Sequence, residues 1–466
     1  MTSPPHRPGG HSRRPGPRRR PLDPARAAAF DALRAVSERN AYANLVLPAL
    51  LRQRGITGRD AAFATELTYG TCRTRGLLDT IIGSAAGRAP EAIDPVLLDL
   101  LRLGTYQLLR TRVEAHAAVS TTVEQAGVEF DSARAGFVNG VLRAIAARDE
   151  RSWVAELAPD PHSDPIGHTA FVRSHPRWVA QAFADALGAA AGELDAVLAS
   201  DDERPQVHLA ARPGVWTAAA LADAVGGTVG RYSPYAVYLR GGDPAQLAPV
   251  RDGHALVQDE GSQLVARALT LARVDDDCGR WLDLCAGPGG KTALLAALGV
   301  ASGARVTAVE PSPHRTELVV VNTRGLPVEV LRVDGRRTGL APGFDRVLVD
   351  VPCTGLGALR RRPEARWRRV PADVPALAKL QRELLAAAIA LTRPGGVLLY
   401  ATCSPHLAET VGVVAAALRR YPVQALDTRP LFEPVIEGLG DGPYVQLWPH
   451  RHGTDAMFAA ALRRRM

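Results

Sequence analysis

The chain has 466 residues, a formal charge of +8, 46% hydrophobic residues and 22% charged residues. That length exceeds one ordinary core, so roughly two or three domains are expected, and the composition excludes fibrous and wholly disordered classes. No apolar run reaches bilayer length and no signal-type apolar stretch opens the chain, which makes the cytoplasm the expected location and a membrane partner unexpected. The basic excess favours a polyanionic partner. Five cysteines (Cys72, Cys278, Cys285, Cys353 and Cys403) show no CxxC spacing, so neither a disulfide framework nor a metal site is expected.

Residues 1–21 are prolines, glycines and arginines without periodicity, and read as a disordered basic tail, either solvated or in transient contact with RNA. From 22 to 150 the pattern is helical, with amphipathic stretches at 25–39, 60–75, 77–86, 95–109, 117–129 and 135–147. The segments AYANLVLPALL, RDAAFATELTYGTCR, LRLGTYQLL, AHAAVSTTVEQA and GFVNGVLR resemble the NusB-like RNA-binding domain. Arg73, Arg75, Arg102, Arg110 and Arg112 are candidate phosphate contacts there, although a solvated helix face explains them equally well. Residues 151–255 read as a linking α/β subdomain, with strand-like alternation at 204–212 and 236–241 around a helix at 216–224. The remainder, 256–466, reads as an α/β catalytic domain.

That domain is organised around WLDLCAGPGGKT, residues 281–292. An apolar strand runs into a glycine-rich turn and then a helix, the arrangement that holds a nucleotide-like ligand in a doubly wound sheet. A P-loop requires glycine where Cys285 stands, and the dinucleotide fingerprint requires G-x-G-x-x-G rather than G-P-G-G. S-adenosylmethionine has no phosphates and suits the loop best. Glu310, closing a strand at 305–309, is placed for ribose hydroxyls, and Asp334, closing a strand at 328–333, for an adenine edge or a further ribose contact. Further strands at 345–351 and 396–401, with crossover helices at 291–298, 313–323, 375–391 and 406–419, complete a parallel, Rossmann-like sheet.

Two motifs follow those later strands: Asp350-Val351-Pro352-Cys353-Thr354-Gly355 and Thr402-Cys403-Ser404. One cysteine at a strand end is more often structural than catalytic. Two at equivalent strand ends, beside a cofactor loop, point to thiol chemistry. C5 of cytosine is a poor nucleophile until a thiolate adds to C6, which makes such a pair suitable for methylating that position.

WLDLCAGPGGKT, VDGR, VLVDVPCTGLGALRRRPEARW, PGGVLLYATCSPHLAET and DGPYVQLWPHRHGTDAMF resemble the RsmB/Sun (Fmu) family of 16S rRNA cytosine-C5 methyltransferases. The resemblance covers about 22–464. It implies a class I methyltransferase domain, behind the NusB-like domain and the linking subdomain, using S-adenosylmethionine. It further implies that Cys403 attacks C6, that Cys353 promotes product release, and that Asp350 assists at the N3 edge of the base. Cofactor contacts carry over to Cys285, Ala286, Gly287, Pro288, Gly289, Gly290, Lys291, Glu310, Asp334 and Asp350, with Lys291 on the cofactor carboxylate or the active-site wall. Three residues depart from the family pattern: Gly287 for a common alanine, Glu310 for a frequent aspartate and Thr354 for a frequent serine. None removes a functional group that the chemistry requires. Arg360, Arg361, Arg362, Arg366 and Arg368, in the run RRRPEARWRR with Trp367, are expected to hold the RNA backbone. The same chemistry on tRNA, and a non-catalytic RNA-binding assembly factor, are the alternatives. The helical domain favours rRNA.

Overall fold

The computed structural model describes residues 22–432, 436–440 and 442–466, so the tail expected at 1–21 lies outside the described residues. Seven helices form the first layer: α1 (Pro24–Arg39), α2 (Ala43–Gln53), α3 (Gly58–Ala86), α4 (Pro95–Arg110), α5 (Ala115–Glu129), α6 (Ser132–Ala146) and α7 (Glu150–Leu157). Asp23, Asp94, Asp131 and Asp149 cap α1, α4, α6 and α7 by accepting from first-turn backbone N–H groups. Phe30, Leu67, Ile81, Leu100 and Leu142 meet in the core of the bundle. The stretches expected as two helices at 60–75 and 77–86 are one helix of 29 residues. Gly76 does not break it. A Cβ at Gly76 would lie 2.1 Å from Trp367 Cη2, so the glycine is a notch that receives the indole.

The linking region contains α8 (Pro165–Val172), α9 (Arg177–Leu187) and α10 (Leu194–Asp202), then a small antiparallel sheet. Its strands β1 (Val207–Ala211), β2 (Thr228–Val229), β3 (Ala236–Leu239) and β4 (Ala255–Val257) run in the order β2-β3-β1-β4, accompanied by α11 (Ala218–Val225) and the single turn α12 (Ala248–Arg251). β4 pairs with β1, so this sheet extends two residues past the expected boundary at 255.

The third region begins with α13 (Glu260–Leu271). Its sheet contains β5 (Arg280–Asp283), β6 (Arg305–Val309), β7 (Val328–Leu331), β8 (Phe344–Asp350), β9 (Thr392–Thr402), β10 (Val423–Ala425), β11 (Val445–Gln446) and β12 (Phe458–Arg464). The order is β10-β12-β9-β8-β5-β6-β7, with β11 on β12. β5 to β9 are parallel as expected, but β12 enters antiparallel between β9 and β10. Helices α13 and α14 (Gly290–Gly299) cover one face, while α16 (Asp373–Leu391) and α17 (Val411–Arg420) cover the other. α15 (Pro313–Asn322) packs beside β6 through Val319. With both faces covered, Val347–Val349 of β8 and Val397–Ala401 of β9 are continuous buried runs of apolar residues and Tyr400. Among the described residues no helix is long and apolar enough to cross a membrane.

Candidate active site at the strand ends

The C-terminal ends of β5, β6, β8 and β9 gather almost every singled-out side chain. After β5, the loop folds back on the sheet: Ala286 N–H donates to Val309 O at 2.9 Å, and Gly289 N–H to Ala286 O at 2.7 Å. Gly289 has φ +104°, and a Cβ there would lie 2.9 Å from the Cα of Val319, so both conformation and space demand glycine. Asn322 Nδ2 holds Pro288 O at 2.8 Å. Asp283 lies beneath the loop, accepting from Thr292 Oγ1 at 2.7 Å, and burial raises its carboxyl to about 6. Cys285 lines the same loop, its thiol raised by burial and then by Asp283.

Glu310 is buried behind the loop. Its Oε2 accepts from Gly287 N–H at 3.2 Å and its Oε1 from Ser312 N–H at 2.9 Å. Gly287 does not adopt a positive φ, so its missing side chain, not its conformation, is what the loop uses. A Cβ at Gly287 would lie 2.2 Å from Glu310 Oε2. The missing side chain at Gly287 thus leaves the space that the Glu310 carboxylate occupies. Asp334 is half exposed and held by Arg336, whose guanidinium keeps its carboxyl below the usual range.

Parallel pairing sets Asp350 opposite Ala401, which brings the two following loops side by side. Cys353 Sγ and Cys403 Sγ are 3.5 Å apart. Lys291 Nζ, from the first turn of α14, lies 2.7 Å from Asp350 Oδ2 and 3.2 Å from Ser262 Oγ. Lys291 is partly buried there, and Asp350 holds its charge despite that burial. Cys403 titrates below an ordinary thiol: the hydrogen bond from Cys353 lowers it most, burial and Asp350 oppose, and Lys291 lowers it further. Cys353 is raised by the reciprocal bond and by burial. The pair is thus polarised, with Cys403 the more readily ionised sulfur.

A residue that the sequence did not single out ties the two loops together. Glu409, fully buried, accepts from Thr354 N–H at 2.9 Å, Thr354 Oγ1 at 2.5 Å, Ser404 Oγ at 2.6 Å and Gln381 Nε2 at 2.9 Å. Gln381 also donates to Pro352 O at 3.0 Å. One carboxylate thus fixes the residues following both cysteines. Its only sequence signal is its position six residues after Cys403.

The arginine run does something other than expected. Arg360 and Arg361 both bridge Asp259 and Asp455 at 2.7 to 3.0 Å. Arg366 is fully buried, donating to Asp202 and to the carbonyls of Arg73, Ser174 and Asp201. Arg368 donates to Val36 O and Asn40 O, and Trp367 Nε1 to Cys72 O. These four arginines are consumed by internal partners because the segment fills the junction between the helical bundle, the linking helices and the catalytic sheet. They do not present charge to RNA. Arg362 alone stays exposed, over the Tyr42 ring at 5.2 Å. In the bundle, Arg73 is likewise buried and Arg102 is held by Asp79 and Asp99.

The loop fits S-adenosylmethionine. Lys291 is neutralised by Asp350 rather than left for a phosphate. The buried carboxamide of Gln258 packs against Gly290 with no hydrogen-bond partner among the described residues, a polar group that a ligand on the loop would satisfy. No group of three or more His, Cys, Asp or Glu among the described residues is arranged for a metal.

A family model described as 16S rRNA methyltransferase RsmB/F matches residues 268–463, and the NusB family model matches residues 23–147. Rv1407 of Mycobacterium tuberculosis (strain ATCC 25618 / H37Rv), whose name describes a methyltransferase, is 85% identical over 96% of this chain and 98% of its own. Ribosomal RNA small subunit methyltransferase B of Enterobacter sp. (strain 638) is 32% identical over 94% of this chain and 98% of its own. The crystal structure of PH0851 shares the fold, with a TM-score of 0.79 at 22% identity over 95% of this chain and 99% of that one. The chain belongs to the ribosomal RNA small subunit methyltransferase B (RsmB) family of S-adenosylmethionine-dependent methyltransferases.

Proposed function

We propose that the protein methylates C5 of a cytosine in 16S rRNA through a covalent adduct between Cys403 and C6 of the base. The observation that carries this reading is the thiol pair itself, 3.5 Å apart at neighbouring strand ends and beside the Lys291–Asp350 pair. S-adenosylmethionine, held by the 285–291 loop with Glu310 and Asp334, supplies an electrophilic methyl group. The chain's own residues make the base able to accept it. The Cys403 thiolate adds to C6, forming the S–C6 bond and moving an electron pair towards C5. Asp350, ion-paired with Lys291, assists at the N3 edge of the base, where negative charge otherwise accumulates. After methylation the C5 proton passes to solvent water, the electron pair of the C5–H bond re-forms the C5–C6 double bond, and Cys403 leaves as the thiolate as the S–C6 bond breaks. Cys353, which keeps its own proton, assists that elimination. The target base leaves its stack to reach the thiols, at a cost of about a few kcal/mol. A ribosomal RNA substrate sets the work in the cytoplasm.

The test is chemical. With S-adenosylmethionine and a 16S rRNA transcript, Cys353→Ala should accumulate a denaturant-resistant protein–RNA adduct, and Cys403→Ala should form none. Wild-type activity in Cys403→Ala would remove the mechanism. Methylation of tRNA transcripts in preference to 16S rRNA would remove the assigned substrate.

A further inference from the structure

With four arginines of the run held by internal partners, cations elsewhere become the candidates for RNA contact. A groove of about 890 Å³ runs between α16, α17 and the turn after β7. Arg337, Lys379, Arg382 and Arg420 line it, all exposed. None of the four has a carboxylate partner among the described residues. The groove's two acids, Asp334 and Glu383, are both taken by Arg336. With five cations and two acids in its lining the groove is net positive, and Leu385, Val413 and Ala417 give it an aliphatic part. Tyr421, partly buried against the sheet core, also lines it, with the Arg420 guanidinium 5.7 Å from its ring centroid.

A track of cations without carboxylate partners is the surface chemistry of binding to a nucleic-acid backbone, where ammonium and guanidinium groups follow successive phosphates. The groove also shares a wall with the catalytic centre. Gln381, which holds Pro352 O and Glu409, lies on α16 between Lys379 and Arg382. A strand lying against the outer side of α16 is thus one helix away from the Cys353 loop.

We propose that this groove binds the backbone of a single-stranded RNA segment connected to the target nucleotide. The inference rests on the RNA-substrate reading above, not on the thiol mechanism. A cofactor with a single adenosine and no phosphate has no use for four unpaired cations. A folded protein partner would leave these exposed charges without purpose unless it were itself strongly acidic.

The experiment compares full-length wild type with the triple variant Arg337→Ala/Lys379→Ala/Arg382→Ala. A second triple variant, Arg273→Ala/Arg280→Ala/Arg305→Ala, removes the same charge from exposed positions at or near the opposite strand ends. Filter binding to a 16S rRNA transcript is measured from 50 to 300 mM salt, alongside methyl transfer from tritiated S-adenosylmethionine and dissociation constants for S-adenosylmethionine alone. Three lost phosphate contacts should lower the magnitude of the log–log salt slope by about 2 and raise the RNA KM on the order of tenfold, with cofactor affinity unchanged. The distal variant should keep the wild-type slope. Equal slopes for groove variant and wild type overturn the proposal and leave the groove to an acidic protein. An equal fall in both variants also overturns it, by showing that only net charge matters. If wild type binds the transcript without methylating it, the catalytic reading fails while the binding comparison still decides the groove.

Discussion

The cofactor loop offers a sharp test because the Glu310 carboxylate occupies the space that a side chain at Gly287 would fill. In Gly287→Ala the new Cβ would sit 2.2 Å from Glu310 Oε2 and 2.9 Å from Glu310 Cδ. Ordinary contact begins near 3.4 Å, so the carboxylate must retreat by about 1 Å. Arg315 Nε, 2.7 Å from the same point, lies on a half-exposed side chain that can swing away, whereas Glu310 is buried and cannot. Retreat breaks the Gly287 N–H bond at 3.2 Å and strains the Ser312 bond at 2.9 Å. A hydrogen bond to a charged group contributes about 1.5–3 kcal/mol, so loss of roughly 2 kcal/mol of loop organisation should weaken S-adenosylmethionine about 30-fold. Glu310→Asp alone shortens the side chain by one methylene, so the carboxylate no longer reaches both N–H groups, costing about 1–2 kcal/mol. Combined, the two substitutions remove the clash, and affinity should return to within about threefold of wild type. Isothermal titration of S-adenosylmethionine into the four proteins measures the coupling, expected at about 2 kcal/mol or more in favour of the double variant. Additive losses would refute the pairing of Gly287 with Glu310.

The remaining predictions follow from the same geometry. Glu409→Ala leaves Thr354, Ser404 and Gln381 without their shared acceptor, so kcat should fall on the order of 100-fold while the S-adenosylmethionine dissociation constant holds; a KM effect alone would contradict a positioning role. Lys291→Met removes a charge that lowers Cys403, so the thiol pKa rises. At saturating cofactor the rate at neutral pH should drop and recover as pH increases, the lower limb moving to higher pH. An unshifted profile would separate Lys291 from the nucleophile. Trp367→Ala empties the notch at Gly76 and should destabilise the protein by about 3–5 kcal/mol in denaturant unfolding, without altering the salt slope of RNA binding. A native midpoint would show that the segment does not anchor the helical bundle.

Much of the fold was legible because its signals are local. The bundle helices carry their own apolar period and aspartate caps, and β5, β6, β8 and β9 are short apolar strands followed by turn residues. What failed was non-local. Gly76 looked like a helix boundary because glycine is a poor helix former, yet a tryptophan nearly 300 positions away gives it a packing role. β12 is an alanine-rich run at the end of the chain, and only its pairing with β9 reveals a strand. The thiols were legible for a local reason as well, since each follows directly from a buried strand. Glu409 was not. Its sequence position is ordinary, and its four donors converge on it only in three dimensions.

The arginine run shows why charge density misleads. A sequence displays cations but not the carboxylates that meet them, and Asp202, Asp259 and Asp455 lie more than 90 positions from the arginines they hold. Burying those charges costs several kcal/mol each unless they are paired, so the run persists only because the partners are in place. The consequence reaches the active site. Residues 353–368 form one continuous stretch, beginning at the Cys353 thiol, passing the Asp259–Asp455 clamp, and ending under the helical bundle at Arg366 and Trp367. The thiol loop is therefore held from both sides, by Glu409 within the catalytic domain and by the bundle through the arginine segment. A substitution in the bundle that shifts the seat of Trp367 should alter the Cys353–Cys403 separation without touching either sulfur.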